Sequence, residues 1–142
     1  MSNLSLFMKQ NKKIRPNTKY AATKSLVDEN GNPLEFEIRS LTTKEDELIR
    51  EQCTKEVPIV GKPGAFRQKI DSNAYISKMT AAAIVFPNLN NAELQDSYGV
   101  KKPEDLLKEL IDDPGEFQDL CLFVQKNNGF TNLDSRVDEA KN

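Results

Sequence analysis

The stretch Glu93–Phe130, ELQDSYGVKKPEDLLKELIDDPGEFQDLCLFVQKNNGF, sets three helix start and stop signals one after another. Leu94 and Tyr98 stand four residues apart ahead of Gly99, a spacing that places both on one helix face. Asn90 with Glu93 has the form of a capping box in front of them. Pro103, tolerated at a first helical position, leads Leu106, Leu107, Leu110 and Ile111. Asp113-Pro114-Gly115-Glu116 opens a third helix bearing Phe117, Leu120, Cys121 and Val124. Asn128-Gly129-Phe130 then has the form of a left-handed glycine stop with a hydrophobic residue behind it. The stretch predicts short packed helices, and it contains no catalytic motif.

Working outward, Asp71 is a cap for a longer helix whose Tyr75, Ile76, Met79, Ala83 and Phe86 form an apolar stripe ended by Pro87. Thr42 with Glu45 is a capping box ahead of Leu48, Ile49 and Cys53, so a helix is expected over about 43–55. Between these two, Val57-Pro58 to Pro63-Gly64 reads as the longest internal break in regular structure. Farther upstream, Leu34, Phe36 and Ile38 alternate with Glu35, Glu37 and Arg39, the period of a strand with one apolar face. Asp28-Glu29-Asn30-Gly31-Asn32-Pro33 supplies turn chemistry ahead of it, and Tyr20–Val27 is weakly strand-like, which together predict a hairpin over 19–41.

The expected fold class is therefore α+β, mainly α: an amino-terminal β-hairpin followed by a compact bundle of about five helices, with flexible termini. Residues 17–130 would form a single domain, with the helical part over 43–130, since 142 residues suit one core. Residues 1–16 are read as a flexible basic arm and 131–142 as a disordered tail. The net charge of −2 conceals an asymmetry. Lys9, Lys12, Lys13, Arg15 and Lys19 give the first 19 residues +5 without an acid, leaving 15 basic against 22 acidic residues elsewhere, or −7.

Much chemistry is excluded. The chain has no histidine, so Ser-His and Cys-His nucleophile arrangements are absent. Gly61-Lys62-Pro63-Gly64 lacks the preceding glycine of a phosphate loop and has proline where its Ser or Thr belongs. Asp28, Asn30 and Asn32 match the first ligands of a calcium loop, but Pro33 replaces its glycine and Arg39 its bidentate glutamate. Acids at Glu104-Asp105 and Asp112-Asp113 fit first turns of helices, where they complement the helix dipole. Cys53 and Cys121 are read as buried free thiols. No enzyme activity, cofactor or metal is expected. There is no signal-peptide pattern and no apolar run long enough for a membrane span, so a cytoplasmic protein is expected.

The order of these features resembles the XkdN-like phage tail assembly chaperones. The resemblance is carried by Tyr20-Ala21-Ala22-Thr23, the Asp28–Pro33 turn and Ile38-Arg39-Ser40-Leu41-Thr42. It continues through Phe86-Pro87-Asn88-Leu89, Glu93–Val100, Leu106-Leu107-Lys108-Glu109, Pro114-Gly115-Glu116-Phe117 and Asn127-Asn128-Gly129-Phe130. It spans about residues 5 to 130. It implies a protein acting in the bacterial host cytoplasm that binds and solubilises the tape measure protein and helps recruit the major tail protein. Self-association is a further partner expectation; a membrane is excluded and nucleic acid is not expected. Two alternatives are a structural tail component retained in the virion and a regulatory module contacting nucleic acid through its basic arm.

No ligand motif is implied by the resemblance, so partner-binding candidates follow from physical reasoning. They are apolar residues at helix ends and linkers that a small core leaves exposed: Leu89, Leu94, Tyr98 and Val100, with Leu4, Phe7 and Met8 on the arm.

Overall fold

Phe36-Glu37-Ile38 forms the strand around which the sheet is built, because its alternation sends Phe36 and Ile38 to one face, where they are 1% and 0% exposed. In the computed structural model, which describes residues 3–130, this strand is β2 (Phe36–Ile38) and lies between two antiparallel neighbours. On one side is β1 (Thr18–Tyr20), with Thr18 opposite Ile38, Lys19 opposite Glu37 and Tyr20 opposite Phe36. The Lys19–Glu37 pair sets opposite charges across the ladder, which favours this register.

The expected hairpin is present with much shorter strands. Its turn is built as read: Asp28 Oδ1 accepts from the Asn30 and Asn32 backbone N–H groups at 2.8 and 2.9 Å, and Gly31 takes a positive φ of 81°. Beyond that turn only the Val27–Pro33 bridge continues the pairing, and Leu34 is exposed. The first strand does not run on to Val27, because residues 23 and 24 have other partners. Glu116 accepts from the Thr23 hydroxyl at 2.8 Å and from the Lys24 backbone N–H at 2.9 Å.

Helix α1 (Thr43–Gln52) begins with the expected capping box. Thr42 Oγ1 accepts from the Glu45 N–H while Glu45 accepts from the Thr42 N–H. The helix buries Ile49 and leaves Leu48 exposed. Arg39 holds the same Glu45 through two bonds of 3.0 and 2.6 Å, lowering its carboxyl to about 2. The cap, the end of β2 and the helix are thereby tied together.

The expected break falls mostly in the loop of a ribbon, β3 (Thr54–Pro58) paired antiparallel with β4 (Phe66–Ile70), and α1 stops at Gln52 rather than near 55 because Thr54 and Lys55 enter that ribbon. Its loop makes two successive turns, with bonds from Lys62 N–H to the Ile59 carbonyl and from Ala65 N–H to the Lys62 carbonyl. Gly61 and Gly64 occupy the third positions with φ of 80° and 81°, where glycine is needed. The sequence concealed this ribbon because both faces meet water and no apolar alternation exists.

Asp71 caps α2 (Ser72–Ala83), the central helix, which packs against α1 and the last two helices. Tyr75, Met79 and Ala83 are buried as expected, but Phe86 is 64% exposed and belongs to no helix. The helix ends at Ala83, and Ile84–Phe86 forms β5 on the free edge of β2. The β-branched Ile84 and Val85 suit that ladder, so an available sheet edge overrides the helical stripe.

α3 (Ala92–Ser97) is capped by Asn91 rather than Asn90, since Asn91 Oδ1 accepts from the Leu94 N–H. α4 (Pro103–Leu110) and α5 (Pro114–Asn127) start at their prolines as read. Gly99 and Gly129 both close helices in the left-handed conformation. In each case the following residue's N–H returns to a carbonyl five residues back: Val100 to Gln95 and Phe130 to Gln125. Leu106, Leu107, Ile111, Leu120 and Val124 are fully buried with Phe36, Ile38 and Met79 in one core. The tail expectation for 131–142 lies outside the described residues.

Candidate functional site

Residues Asn3–Phe7 and Lys9–Asn11 form two 3-10 turns, and neither buries a residue. Leu4, Phe7 and Met8 are 67%, 84% and 47% exposed, alongside Leu6 and Ile14. Five apolar side chains thus lie exposed among the basic residues of one short segment, a denser apolar patch than scattered single exposures. Arg15 fixes the base of the arm, donating to the Leu41 carbonyl at 2.8 Å.

The second candidate group sits elsewhere and is mostly covered. Leu89 is only 3% exposed, which corrects its reading as a surface contact: the Gln95 side chain donates to the Leu89 carbonyl and draws that linker onto the core. Leu94, Tyr98 and Val100 are half-buried and pack against the core, each still presenting an edge to solvent. α3 and its glycine stop hold these three in place, whereas the segment carrying Leu4, Phe7 and Met8 is tied at its base by the bond from Arg15 to the Leu41 carbonyl.

A third feature escaped the sequence reading. The segment 20–25 and Pro33 line a groove of about 850 Å³ with Asp112, Asp113, Glu116 and Asp119 on its opposite wall. Tyr20 stacks on Phe123 with centroids 4.3 Å apart, and burial followed by the charges of Asp119 and Glu116 raises its hydroxyl pKa. Asp113 caps α5 and Glu116 is bound to Thr23 and Lys24, so Asp112 and Asp119 are the acids that face outward. Asp112 and Asp113 are visible in the sequence as acids at a helix start; Asp119, in the second turn of α5, and the facing backbone segment are not.

The cysteines offer little reactivity. Both thiols are buried and free, and burial raises both pKa values, disfavouring the nucleophilic thiolate. Among the described residues no cluster of His, Cys, Asp or Glu is arranged to hold a metal ion, and no helix is long and apolar enough to cross a membrane. What the described residues leave exposed is an apolar basic arm, a partly covered helical patch and an acid-walled groove.

Residues 4–141 match the family described as phage XkdN-like tail assembly chaperone protein. The chain belongs to that family. This tail assembly chaperone is 27% identical over 143 residues to XkdN, a protein of the phage-like element PBSX in Bacillus subtilis (strain 168). The match covers 99% of this chain and 94% of XkdN. It is likewise 27% identical to YqbN of the same strain, covering 99% of this chain and 93% of YqbN. The crystal structure of YqbN superposes with a TM-score of 0.75 at 20% identity, covering 92% of the chaperone and 98% of YqbN, and so shares its fold.

Proposed function

We propose that this chaperone binds the tape measure protein and keeps it soluble in the bacterial host cytoplasm while the tail is assembled, and that it helps recruit the major tail protein. The observation that carries this reading is the arm, where Leu4, Phe7 and Met8 stand exposed beside Lys9, Lys12 and Lys13 on a chain whose family is one of tail assembly chaperones. Long helical clients present apolar stripes, and an exposed apolar segment can cover such a stripe until a competing subunit displaces it. Leu94, Tyr98 and Val100 supply a second, shallower contact. The action is binding rather than catalysis.

Co-expression with the tape measure protein tests the reading. The wild-type chain should carry that protein into the soluble fraction and co-purify with it, and Leu4→Asp with Phe7→Asp should abolish this while leaving circular dichroism unchanged. Tyr98→Ala with Val100→Ser should weaken it less. A tape measure protein that remains insoluble with the wild-type chain would overturn the proposal. Abundance of the chain in finished tails by mass spectrometry would instead make it a retained structural component.

A further inference from the structure

The β3–β4 ribbon is fully formed yet contributes almost nothing to the core. Its five ladder pairs, from Thr54–Ile70 to Pro58–Phe66, make a projection about 17 Å long at roughly 3.4 Å per residue. A two-stranded ribbon with no third strand and no covering helix is only marginally stable in water. This one also sets Lys55 opposite Lys69. Val60 at its tip is 98% exposed and Phe66 58% exposed. Lys55, Lys62, Arg67 and Lys69 stand against the single acid Glu56, so the ribbon is basic as well as apolar-tipped.

The groove beside α5 has the complementary character. Its walls carry Asp112, Asp113, Glu116 and Asp119 against Lys24, while Tyr20, Ala21 and Pro33 provide apolar surface. The side chains of Asp112 and Asp119 are exposed and take part in no hydrogen bond or ion pair among the described residues, Asp119 acting on the Tyr20 hydroxyl through its charge alone. No ribbon residue lines the groove of its own molecule. The ribbon rises from Cys53 and Asp71, joined by the Asp71 N–H to Cys53 carbonyl bond, whereas the groove lies at the start of α5.

We propose that the ribbon of one copy docks in the groove of a second copy, so that the chains associate head to tail. Val60 and Phe66 would leave water against Tyr20, Ala21 and Pro33, while Lys62, Arg67 and Lys69 meet Asp112 and Asp119. Joined head to tail, the end copies keep a free ribbon and a free groove, so the contact continues into a ring or an open chain, whereas a reciprocal exchange of ribbons would close it as a twofold dimer. The proposal stands apart from client binding, which is assigned to the arm and the α3 patch.

A concentration series of the full chain by sedimentation velocity tests it. The average mass should rise with protein concentration at low salt, and the association constant should fall at least about tenfold at high salt, because exposed charges are screened. K62E/R67E/K69E and D112K/D119K should each weaken association at least about tenfold with unchanged circular dichroism, and a chain carrying both sets should recover it. Val60→Asp, at a fully exposed turn, gives a gentler variant that should weaken association without threatening the fold. A chain that stays monomeric throughout, association indifferent to salt, or a combined variant as weak as either single set would overturn the proposal.

Discussion

Helix α4 and the β3–β4 ribbon are of similar size and opposite in economy. In eight residues α4 buries Leu106, Leu107 and Leu110. The ten strand residues of the ribbon bury none, leaving Thr54, Val57 and Ile70 half-covered at most. The helix is held by what surrounds it; the ribbon is held by its own ladder, its two glycine turns and the ties at its base. Stability is therefore concentrated where α2, α4 and α5 meet β2, and surface available for partners is concentrated on the arm, the ribbon and the groove.

Cutting into the helical side of this comparison should have the largest effect. Leu106 and Leu120 are both 0% exposed within the core, so replacing either with alanine removes apolar burial and leaves a cavity. Leu106→Ala should lower the unfolding free energy by about 3 kcal/mol, read from the urea midpoint at constant slope. A loss under about 1 kcal/mol would mean that α4 is not the anchor described.

Glu116 links the two kinds of region, because it holds the extended segment of residues 23 and 24 against the first turn of α5. Thr23 is 2% exposed and donates to this carboxylate. Glu116→Ala removes the acceptor of the Thr23 hydroxyl and the Lys24 N–H, and because that hydroxyl still pairs with Ser25 the loss should be about 1 kcal/mol. It should also speed amide hydrogen exchange at Lys24, whose N–H is bonded to Glu116. Unchanged exchange at that amide would show that the segment is held by something else.

This difference also explains what could be read from residues alone. Caps at Thr42, Asp71 and Asp113, the prolines that open α4 and α5, and the stops at Gly99 and Gly129 are local chemistry, so the helices were legible in the sequence. β5 was not, because Ile84-Val85-Phe86 continues a helical stripe and becomes a strand only when β2 offers an edge. The ribbon was hidden because its register rests on turns and backbone bonds, with no apolar face to mark it. At the candidate site, Leu4, Phe7 and Met8 are exposed as expected, whereas Leu89 is drawn inward by a side chain six residues on. The acid wall of the groove could be counted in the sequence, but its partner wall required Glu116 to be seen reaching across 92 and 93 residues.

The Arg39–Glu45 pair should give a pH-dependent effect. Its carboxyl is lowered from 4.5 to about 2, first by the bond from Arg39, so the pair stabilises the fold above the unfolded value. That contribution is complete above about pH 4.5 and is lost as the pH falls toward about 2. The two side chains are 35% and 38% exposed, and screening by water holds the effect to about 1 kcal/mol. Glu45→Gln preserves an acceptor for the Thr42 N–H while removing the charge and the second oxygen that accepts from Arg39. The wild-type advantage over this variant should therefore be present at pH 6 in urea titrations and fade toward pH 2.

The ribbon itself should matter least to stability, and this tests the contrast most directly. Its ends are already closed at the base by the Asp71 N–H to Cys53 carbonyl bond of 2.8 Å, so a short glycine-containing turn can replace residues 56–68 without moving α1 or α2. The deleted segment gives up Phe66 and Val60 to no cavity, since both already face water. Cross-strand pairing inside the segment stabilises the ribbon alone, and its removal also removes the entropy lost in ordering it. The shortened chain should unfold within about 0.5 kcal/mol of the full one, with its core near-ultraviolet signal intact. A loss of 2 kcal/mol or more would place the ribbon among the elements that hold the core, and its exposed residues would then have a structural reason for being there.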